Sequence, residues 1–355
     1  MIRTSRRLAS ADEANLVLDH AGQVNVFLIA GLLSRSGFVG SDQIPDMAAL
    51  RTALSERIDG LPQLHRIAVS AGLRHRWEEA SPDLNQHIRL LGPVAGLAGL
   101  ERLCGELMSQ PLPLERAMWE ILVIPGASAQ GIGVVLRIHH VLADGIAAVA
   151  IAQQLFDPSA EAPTSAPPAW GGGAPPDKRA RNALTGVWPS LRRIGTTLRG
   201  HEIGPTLLLG ERGAHRGVAF LAADLAALEE HVRPLGATVN DALLSAVSSG
   251  YRAALEDAGE DVPALLSVSV PVALQRRGTT GNQVGVMLVR LPLGEPDADE
   301  RLRLIAAQTR VAKVAARRQG TLEFMRGPVG ARIMDRVAHR QHLVAGFRDQ
   351  RSRSR

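Results

Sequence analysis

The sequence predicts a mixed α/β protein made of two units of similar kind. In residues 1–157, and again in residues 216–355, short apolar runs typical of buried strands alternate with segments of helical periodicity. Residues 157–177 between them are rich in proline and include three consecutive glycines, a composition that does not support a packed element. The length of 355 residues suits two domains of roughly 150 residues each. We therefore expect two domains separated by a connecting region at residues 158–215.

The first unit contains both predicted helices and predicted strands. Ser10 and Glu13 have the spacing of a capping box, which predicts a short helix through Asp19. Pro45 and Asp46 open a second helix, whose apolar residues fall on one face as far as about residue 58. The other predicted elements are strands at residues 24–33, 119–124 and 132–138 and helices at residues 97–107 and 145–156.

The connecting region and the second unit continue the alternation. Residues 182–199 have helical periodicity with one apolar face and arginines off it, although Pro189 would break or kink such a helix. The helix either packs against the protein or lies on an acidic lipid surface, and both alternatives stay open. The predicted elements after it are strands at residues 217–222, 265–272 and 283–291 and helices at residues 225–232, 239–254 and 299–317.

Composition excludes several classes of protein. Aromatic residues make up 3% of the chain, which argues against a surface that stacks the bases of single-stranded nucleic acid. The single cysteine, Cys104, excludes a disulfide framework and a cysteine metal cluster. The net charge is +5, and 38 of the 40 basic residues are arginine, a preference that a codon-composition bias explains. A basic surface nevertheless favours phosphate-bearing or acidic-lipid partners.

No apolar run in the sequence is long enough to span a membrane. The longest covers about ten residues, half of the roughly 20 that a spanning helix needs. Asp12 and Glu13 follow the basic N-terminus before any apolar signal core could form. We therefore expect a cytoplasmic protein that is soluble or peripherally attached to a lipid surface.

The pattern that points to chemistry is HHVLADG at residues 139–145, between a predicted strand and a predicted helix. Neighbouring side chains at a strand end point to opposite faces, so either His139 or His140 faces a cleft while the other braces the core. Asp144 lies in the turn, where it either orients the site or forms a structural salt bridge with an arginine. Gly145 permits a tight turn or the close approach of a ligand to the backbone.

General base catalysis is the chemistry that this pattern supports best. Neutral imidazole, with an ordinary pKa of about 6.5, accepts protons near neutral pH. The sequence has no GxSxG elbow and Cys104 lies on the apolar face of a predicted helix, so no covalent nucleophile is evident. Adjacent histidines without a carboxylate cluster are poor metal ligands. We predict a direct transfer, in which His140 deprotonates a hydroxyl or amine that attacks an activated acyl group.

Residues 139–145 resemble the HHxxxDG signature of acyltransferases that use a thioester of coenzyme A or of a carrier protein. The chain from about residue 8 to residue 315 resembles one branch of these enzymes, the bacterial wax ester synthase/diacylglycerol acyltransferase family. The matching segments are residues 8–18, 61–66, 82–87 and 116–120, the Asn-Asp motif at residues 236–241, and residues 269–272 and 281–284.

This resemblance implies two coenzyme-A-dependent-acyltransferase-like domains with mixed sheets and an active-site tunnel between them. It implies an acyl-CoA-dependent O-acyltransferase that makes triacylglycerol from diacylglycerol, or wax ester from a long-chain alcohol, with acyl-CoA as a co-substrate and no cofactor. His140 would be the general base, accompanied by His139 and Asp144. Contact with the inner face of the membrane or with lipid droplets would follow, because lipid substrates partition there.

Four residues are candidates for substrate contact. Asn240 and Asp241 follow Thr238 at a predicted helix start, where they either cap the helix or, through Asn240, donate to a developing oxyanion. Asn282 is expected in a turn that lines the cleft. Gly145, beside the histidines, is the fourth candidate.

The sequence also departs from the family pattern. Ala117 and Met118 replace the family's proline and leucine, and Ala273 replaces a serine. The family's closing segment is missing after about Arg317, so we expect an incomplete second domain. Two alternative functions stay open: a condensation-type enzyme that acylates an amine or a carrier-bound acceptor, and an inactive, shortened homologue that binds lipid.

Overall fold

The protein's structure, a computed structural model, covers most of both units. The described residues are 6–8, 12–13, 15–16, 19, 24–34, 38–39, 44–72, 74–129, 131–157, 206–209, 213, 215–273 and 284–319. The predicted helix at residues 182–199 and Asn282 lie outside these ranges.

Nine strands and seven α-helices are described in these ranges. The strands are β1 (Arg6–Arg7), β2 (Val26–Ser34), β3 (Arg66–Ala71), β4 (Arg74–Glu79), β5 (Ile88–Leu90), β6 (Trp119–Ile124), β7 (Gly131–His139), β8 (Leu266–Ala273) and β9 (Val284–Leu291). The helices are α1 (Met47–Asp59), α2 (Leu84–His87), α3 (Gly96–Leu107), α4 (Gly145–Phe156), α5 (Leu225–Val232), α6 (Val239–Asp257) and α7 (Ala298–Gln319). Residues 12, 13, 15 and 16 are also helical, in the predicted N-terminal helix.

A four-stranded mixed sheet forms the centre of the first unit. Its order is β2-β7-β6-β5, with β2, β7 and β6 antiparallel and β5 parallel to β6. Every residue of β6 and β7 is buried, and apart from Glu120, Arg137 and His139 both strands are apolar runs rather than alternating ones. Burial on both faces of the sheet gives each strand a mostly apolar sequence, and this is why the bounds of both strands were predicted almost to the residue.

Helices cover both faces of this sheet. Leu54 of α1 and Ile151 of α4 join one apolar core with Leu136 of β7. Cys104 of α3 joins another with Val135, the neighbouring residue of β7. Adjacent residues of a strand point to opposite faces, so one strand contributes to both cores. The side chain of Asp46 caps α1, as the sequence predicts for the start of that helix.

The sequence analysis missed a small antiparallel sheet in the order β1-β4-β3. The sequence of β4 is RHRWEE, whose charged residues hide the usual apolar alternation. Only Trp77 of that strand packs, with Ala68 opposite it, against the large core. The buried carboxylate of Glu13 joins this sheet to the N-terminal helical residues, since its Oε1 lies 2.7 Å from Nδ1 of His75.

The described part of the second unit consists of three helices and an antiparallel pair of strands, β8 and β9. Its core joins Leu255 of α6, Val289 of β9 and Ile305 of α7. The three predicted helices and the strands predicted at residues 265–272 and 283–291 are confirmed here with shifts of a few residues at their ends.

One prediction in the second unit is wrong, because residues 217–222 form no strand. They lie along α3, where the backbone N–H of Phe220 donates to Oε1 of Glu101 at 2.7 Å. A Cβ on Gly105 would collide with the carbonyl oxygen of Arg216, so this approach requires glycine in α3. In a sheet the N–H of Phe220 would donate to a carbonyl oxygen of a neighbouring strand; here the carboxylate of Glu101 is the acceptor.

Within the described residues, none of the helices combines the length and the apolar character that crossing a membrane requires.

Candidate functional site

The HHVLADG segment connects the end of β7 to the start of α4. β7 ends at His139, and the backbone N–H of Leu142 donates to the carbonyl oxygen of His139 at 2.9 Å, which closes a turn. The backbone N–H of His140 donates to the carbonyl oxygen of Asn25, just before β2, at 3.0 Å. The two histidines are therefore held by different neighbours at the end of the central sheet where β7 ends and β2 begins.

His139 is fully buried and has the bracing role that the alternation of side chains offered to one histidine. The backbone N–H of Val141 donates to its Nδ1 at 3.0 Å, so Nδ1 is the unprotonated ring nitrogen and Nε2 carries the proton. Nε2 lies 3.2 Å from Oδ2 of Asp19, in a contact that attracts electrostatically without hydrogen-bond geometry. His139 cannot reach a substrate from this position.

His140 is only partly buried, and its ring packs against Phe27 with 4.4 Å between the centroids. Burial lowers the pKa of His140, and the neighbouring His139 lowers it further. A hydrogen bond to its own backbone carbonyl and the charge of Asp144 oppose this shift without overcoming it. The net effect is an imidazole that is neutral at pH 7, the state that a general base requires.

Two neighbours of Nδ1 bear on which ring nitrogen of His140 carries the proton. A proton on Nδ1 has the residue's own carbonyl oxygen as its acceptor, and Nε2 then has the free lone pair. The side-chain Nδ2 of Asn15 lies 3.3 Å from Nδ1 and also 3.3 Å from that carbonyl oxygen. With Nδ1 protonated, Asn15 donates to the oxygen.

Asp144 is the N-cap of α4, and its Oδ1 accepts from the backbone N–H of Ala147 at 2.9 Å. The predicted alternative of a salt bridge with arginine is not found among the described residues, so this expectation is corrected to helix capping. The carboxylate nevertheless acts on His140 through its charge. Gly145 does not have the positive φ of a residue that requires glycine, and a Cβ there would only contact the Phe27 ring at 3.8 Å. The tight-turn interpretation of Gly145 is therefore wrong.

Asp241 is buried, and both of its carboxylate oxygens are occupied by the protein. Its Oδ2 accepts from Thr238, which completes the capping box of α6, and its Oδ1 accepts from the Thr309 hydroxyl of α7 at 2.7 Å. Burial alone would raise the pKa of Asp241, but the hydrogen bonds from Thr309 and Thr238 and the charge of Lys313 lower it. This geometry corrects the assignment of Asp241 to substrate contact: it joins two helices.

Asn240 and Asn282 are the remaining predicted site residues, and Cys104 is the residue that the sequence excluded as a nucleophile. Asn240 is exposed in the first turn of α6, and its role as an oxyanion donor stays a prediction. Asn282 lies outside the described residues. Cys104 is fully buried, and burial, with the charge of Glu101, raises the pKa of its thiol to about 11. A thiol in that state is a poor nucleophile.

The sequence analysis missed Asn15, Asn25 and Phe27, the residues that hold His140. Asn15 is 125 positions from His140, and no local sequence pattern predicts a contact between residues so far apart in the chain. The one available signal was the resemblance of residues 8–18 to a family segment, which includes Asn15 but gives it no role.

Comparisons with known proteins identify the family. Residues 8–204 match the model of the wax ester synthase/diacylglycerol acyltransferase catalytic domain. One Mycobacterium tuberculosis protein, assigned by name to the diacylglycerol O-acyltransferases, is 28% identical over 256 residues, which cover 65% of this chain and 51% of the relative. A second such protein of that organism is 28% identical over 305 residues, covering 78% of this chain and 65% of the relative. The chain thus spans about half to two thirds of the length of these relatives.

Solved structures show the same fold. The wax ester synthase/diacylglycerol acyltransferase from Marinobacter aquaeolei VT8 superposes with a TM-score of 0.59 at 23% identity, covering 87% of this chain and 72% of the other. The first condensation domain of the calcium-dependent antibiotic synthetase superposes with a TM-score of 0.52 at 16% identity, covering 91% and 77%. These matches confirm the predicted mixed-sheet α/β fold class. Because the family model covers more than half of the chain, the protein belongs to the wax ester synthase/diacylglycerol acyltransferase family.

Proposed function

We propose that the protein transfers a fatty acyl group from acyl-CoA to the hydroxyl of diacylglycerol or of a long-chain alcohol, with His140 as the general base. The observation that carries the proposal is the state of the His140 ring. It is partly buried and neutral at pH 7, and Nε2, the proposed base, lies at the end of the ring away from the Asn15 contact. Family membership supplies the class of reaction for which such a base is needed.

In the proposed reaction, His140 is the group that first accepts the proton and then returns it. Nε2 of His140 takes the proton of the acceptor hydroxyl while that oxygen attacks the thioester carbonyl carbon. The tetrahedral intermediate collapses, the C–S bond breaks, and the coenzyme A thiolate takes the proton from the imidazolium. The products are an ester and free coenzyme A, and His140 returns to its neutral state. Holding both substrates in line would supply much of the rate.

Neighbouring groups have supporting roles in this proposal. The negative charge of Asp144 raises the proton affinity of His140 and so stabilises the imidazolium that forms during the transfer. Asn240, exposed at the start of α6, is the proposed donor to the oxyanion. The exposed backbone at Gly145 is the proposed point of close approach by the thioester.

The proposal includes attachment at a lipid surface, since diacylglycerol and long-chain alcohols partition into membranes and droplets. Cosedimentation with lipid vesicles that contain diacylglycerol, compared with vesicles of the same phospholipid without it, tests this part. Equal amounts of protein in the supernatant with and without vesicles would contradict it.

The central experiment measures coenzyme A release from palmitoyl-CoA with dioleoylglycerol, hexadecanol or hexadecylamine as acceptor. We expect turnover with the two hydroxyl acceptors and its loss in His140→Ala, while the exposed His231→Ala, as a matched control, keeps it. Turnover with the amine alone would favour the condensation-type alternative. Full turnover in a folded His140→Ala variant would refute the proposed base, and no turnover with any acceptor would favour a lipid-binding homologue.

A further inference from the structure

The side-chain amide of Asn15 faces His140 from the N-terminal helical residues. Its Nδ2 lies 3.3 Å from Nδ1 of the ring and 3.3 Å from the carbonyl oxygen of His140. Phe27 of β2 packs against the same ring. The imidazole is therefore enclosed at its Nδ1 edge and on one face, and Nε2 lies at the opposite end from Asn15.

Asn25 orients this amide. Its Nδ2 donates to the backbone oxygen of Asn15 at 2.9 Å and to Oδ1 of Asn15 at 3.3 Å. Its own backbone oxygen accepts from the N–H of His140 at 3.0 Å, which closes a ring of contacts among the three residues. Because a donor occupies Oδ1 of Asn15, the amide presents its NH2 end to His140. A flipped amide would set two NH2 groups against each other.

We propose that Asn15, oriented by Asn25, is a positioning residue that fixes the ring orientation and the protonated nitrogen of His140, so that Nε2 is the base. The donor from Asn15 holds the carbonyl oxygen that Nδ1–H of the same residue needs as its acceptor. A ring that turned away would lose this acceptor and its contact with Phe27. The catalytic consequence rests on the proposed function, whereas the state of the ring does not.

The charges around His140 determine how its titration would respond. Asp144 of the same turn raises the pKa of His140, and His139 lowers it. Asp19, from the N-terminal segment, faces His139 at 3.2 Å. Asn15 and Phe27 are neutral. An Asn15→Asp substitution would bring a negative charge to the Nδ1 edge and raise the pKa of His140, whereas Asn15→Ala would remove the amide without adding charge.

The test combines kinetics with NMR on the full chain. For Asn15→Ala we expect kcat with palmitoyl-CoA and dioleoylglycerol to fall about 10- to 100-fold, a part of the roughly 10²- to 10⁴-fold that a positioned general base contributes, with KM within about two-fold. Asn15→Asp should restore part of kcat, since a carboxylate cannot donate to the carbonyl oxygen but can accept directly from Nδ1–H, and should move the acid limb of the pH profile upward. The exposed Asn85→Ala, as a matched control, should match the wild type.

The ring nitrogen shifts of His140 test the inference independently of activity. In the wild type they should show a protonated Nδ1 and a bare Nε2, in Asn15→Ala a mixture of the two tautomers. Unchanged shifts, titration and kcat in folded Asn15→Ala would overturn the positioning role while leaving His140 as the base. If the wild type shows no turnover, the proposed function fails, and the NMR shifts still decide for or against Asn15.

Discussion

The backbone N–H of Val141 donates to Nδ1 of His139 at 3.0 Å, and this contact fixes the proton of His139 on Nε2, toward Asp19. In the proposed state of His140 the proton is on Nδ1, toward its own carbonyl oxygen, so the two adjacent histidines would be opposite tautomers. Sequence neighbours of one residue type thus have different chemistry, because the backbone of the turn and of the strand end supplies a donor to one ring and an acceptor to the other.

Replacing His139 should test its bracing role. His139→Ala leaves the buried N–H of Val141 without an acceptor and leaves a cavity, so we expect the free energy of unfolding to fall by about 2–4 kcal/mol. Because His139 lowers the pKa of His140, its removal should also raise that pKa. Urea unfolding measures the first effect and NMR titration of His140 the second. The exposed His231→Ala is the control, expected within about 0.5 kcal/mol of the wild type.

Two substitutions of Asp144 should separate its cap from its charge. Asp144→Asn keeps a side-chain acceptor at the N-cap of α4 but removes the charge that raises the pKa of His140. We expect the pKa of His140 to fall and the acid limb of kcat/KM to move to lower pH, with little change in stability. Asp144→Ala should show the same shift and lose about 1 kcal/mol of stability. An acid limb that stays fixed in both variants would contradict the electrostatic role.

The sequence predicted those elements whose burial makes a continuous pattern. The bounds predicted for β6 and α4 match the structure, since apolar runs end at recognisable turns. β4 escaped notice because a strand that covers the core with Trp77 and faces outward with arginines has no such pattern. The HHVLADG motif indicated the position of the proposed base. Asn15 and Asn25 contact His140 only because the N-terminal segment folds against the end of β7, and such a contact between distant parts of the chain has no local sequence pattern.

The buried carboxylate of Asp241 should make stability depend on pH. Its pKa in the folded protein is below the ordinary value of 3.8. Its contribution to stability is therefore present above that value and is lost as the pH falls through the lower, folded-state pKa. Asp241→Asn should cost about 1–3 kcal/mol at pH 7 and flatten the decline of the unfolding free energy below about pH 4. Urea unfolding across this pH range measures both effects.

The control for this prediction is Asp224→Asn at the N-cap of α5. Asp224 is exposed and accepts from the N–H of Ala227, so its replacement tests the loss of a capping carboxylate without burial. Asparagine caps helices about as well as aspartate, and we expect almost no change at pH 7. Equal losses of unfolding free energy in the Asp224→Asn and Asp241→Asn variants would show that the buried contact of Asp241 with Thr309 does not contribute to stability.

The approach of residues 215–220 to α3 should be sensitive to a single methyl group. In Gly105→Ala the new Cβ would meet the backbone oxygen of Arg216, which cannot rotate away as a side chain does. Overpacking of this kind typically costs about 1–3 kcal/mol, and the better helix propensity of alanine returns up to about 1 kcal/mol. We expect a net loss of stability and faster hydrogen exchange at the N–H of Phe220, whose bond to Glu101 would lengthen. Gly250→Ala in α6, where no atom lies within 4 Å of a new Cβ, should instead stabilise the protein. Unchanged exchange at Phe220 in Gly105→Ala would show that the segment does not depend on this contact.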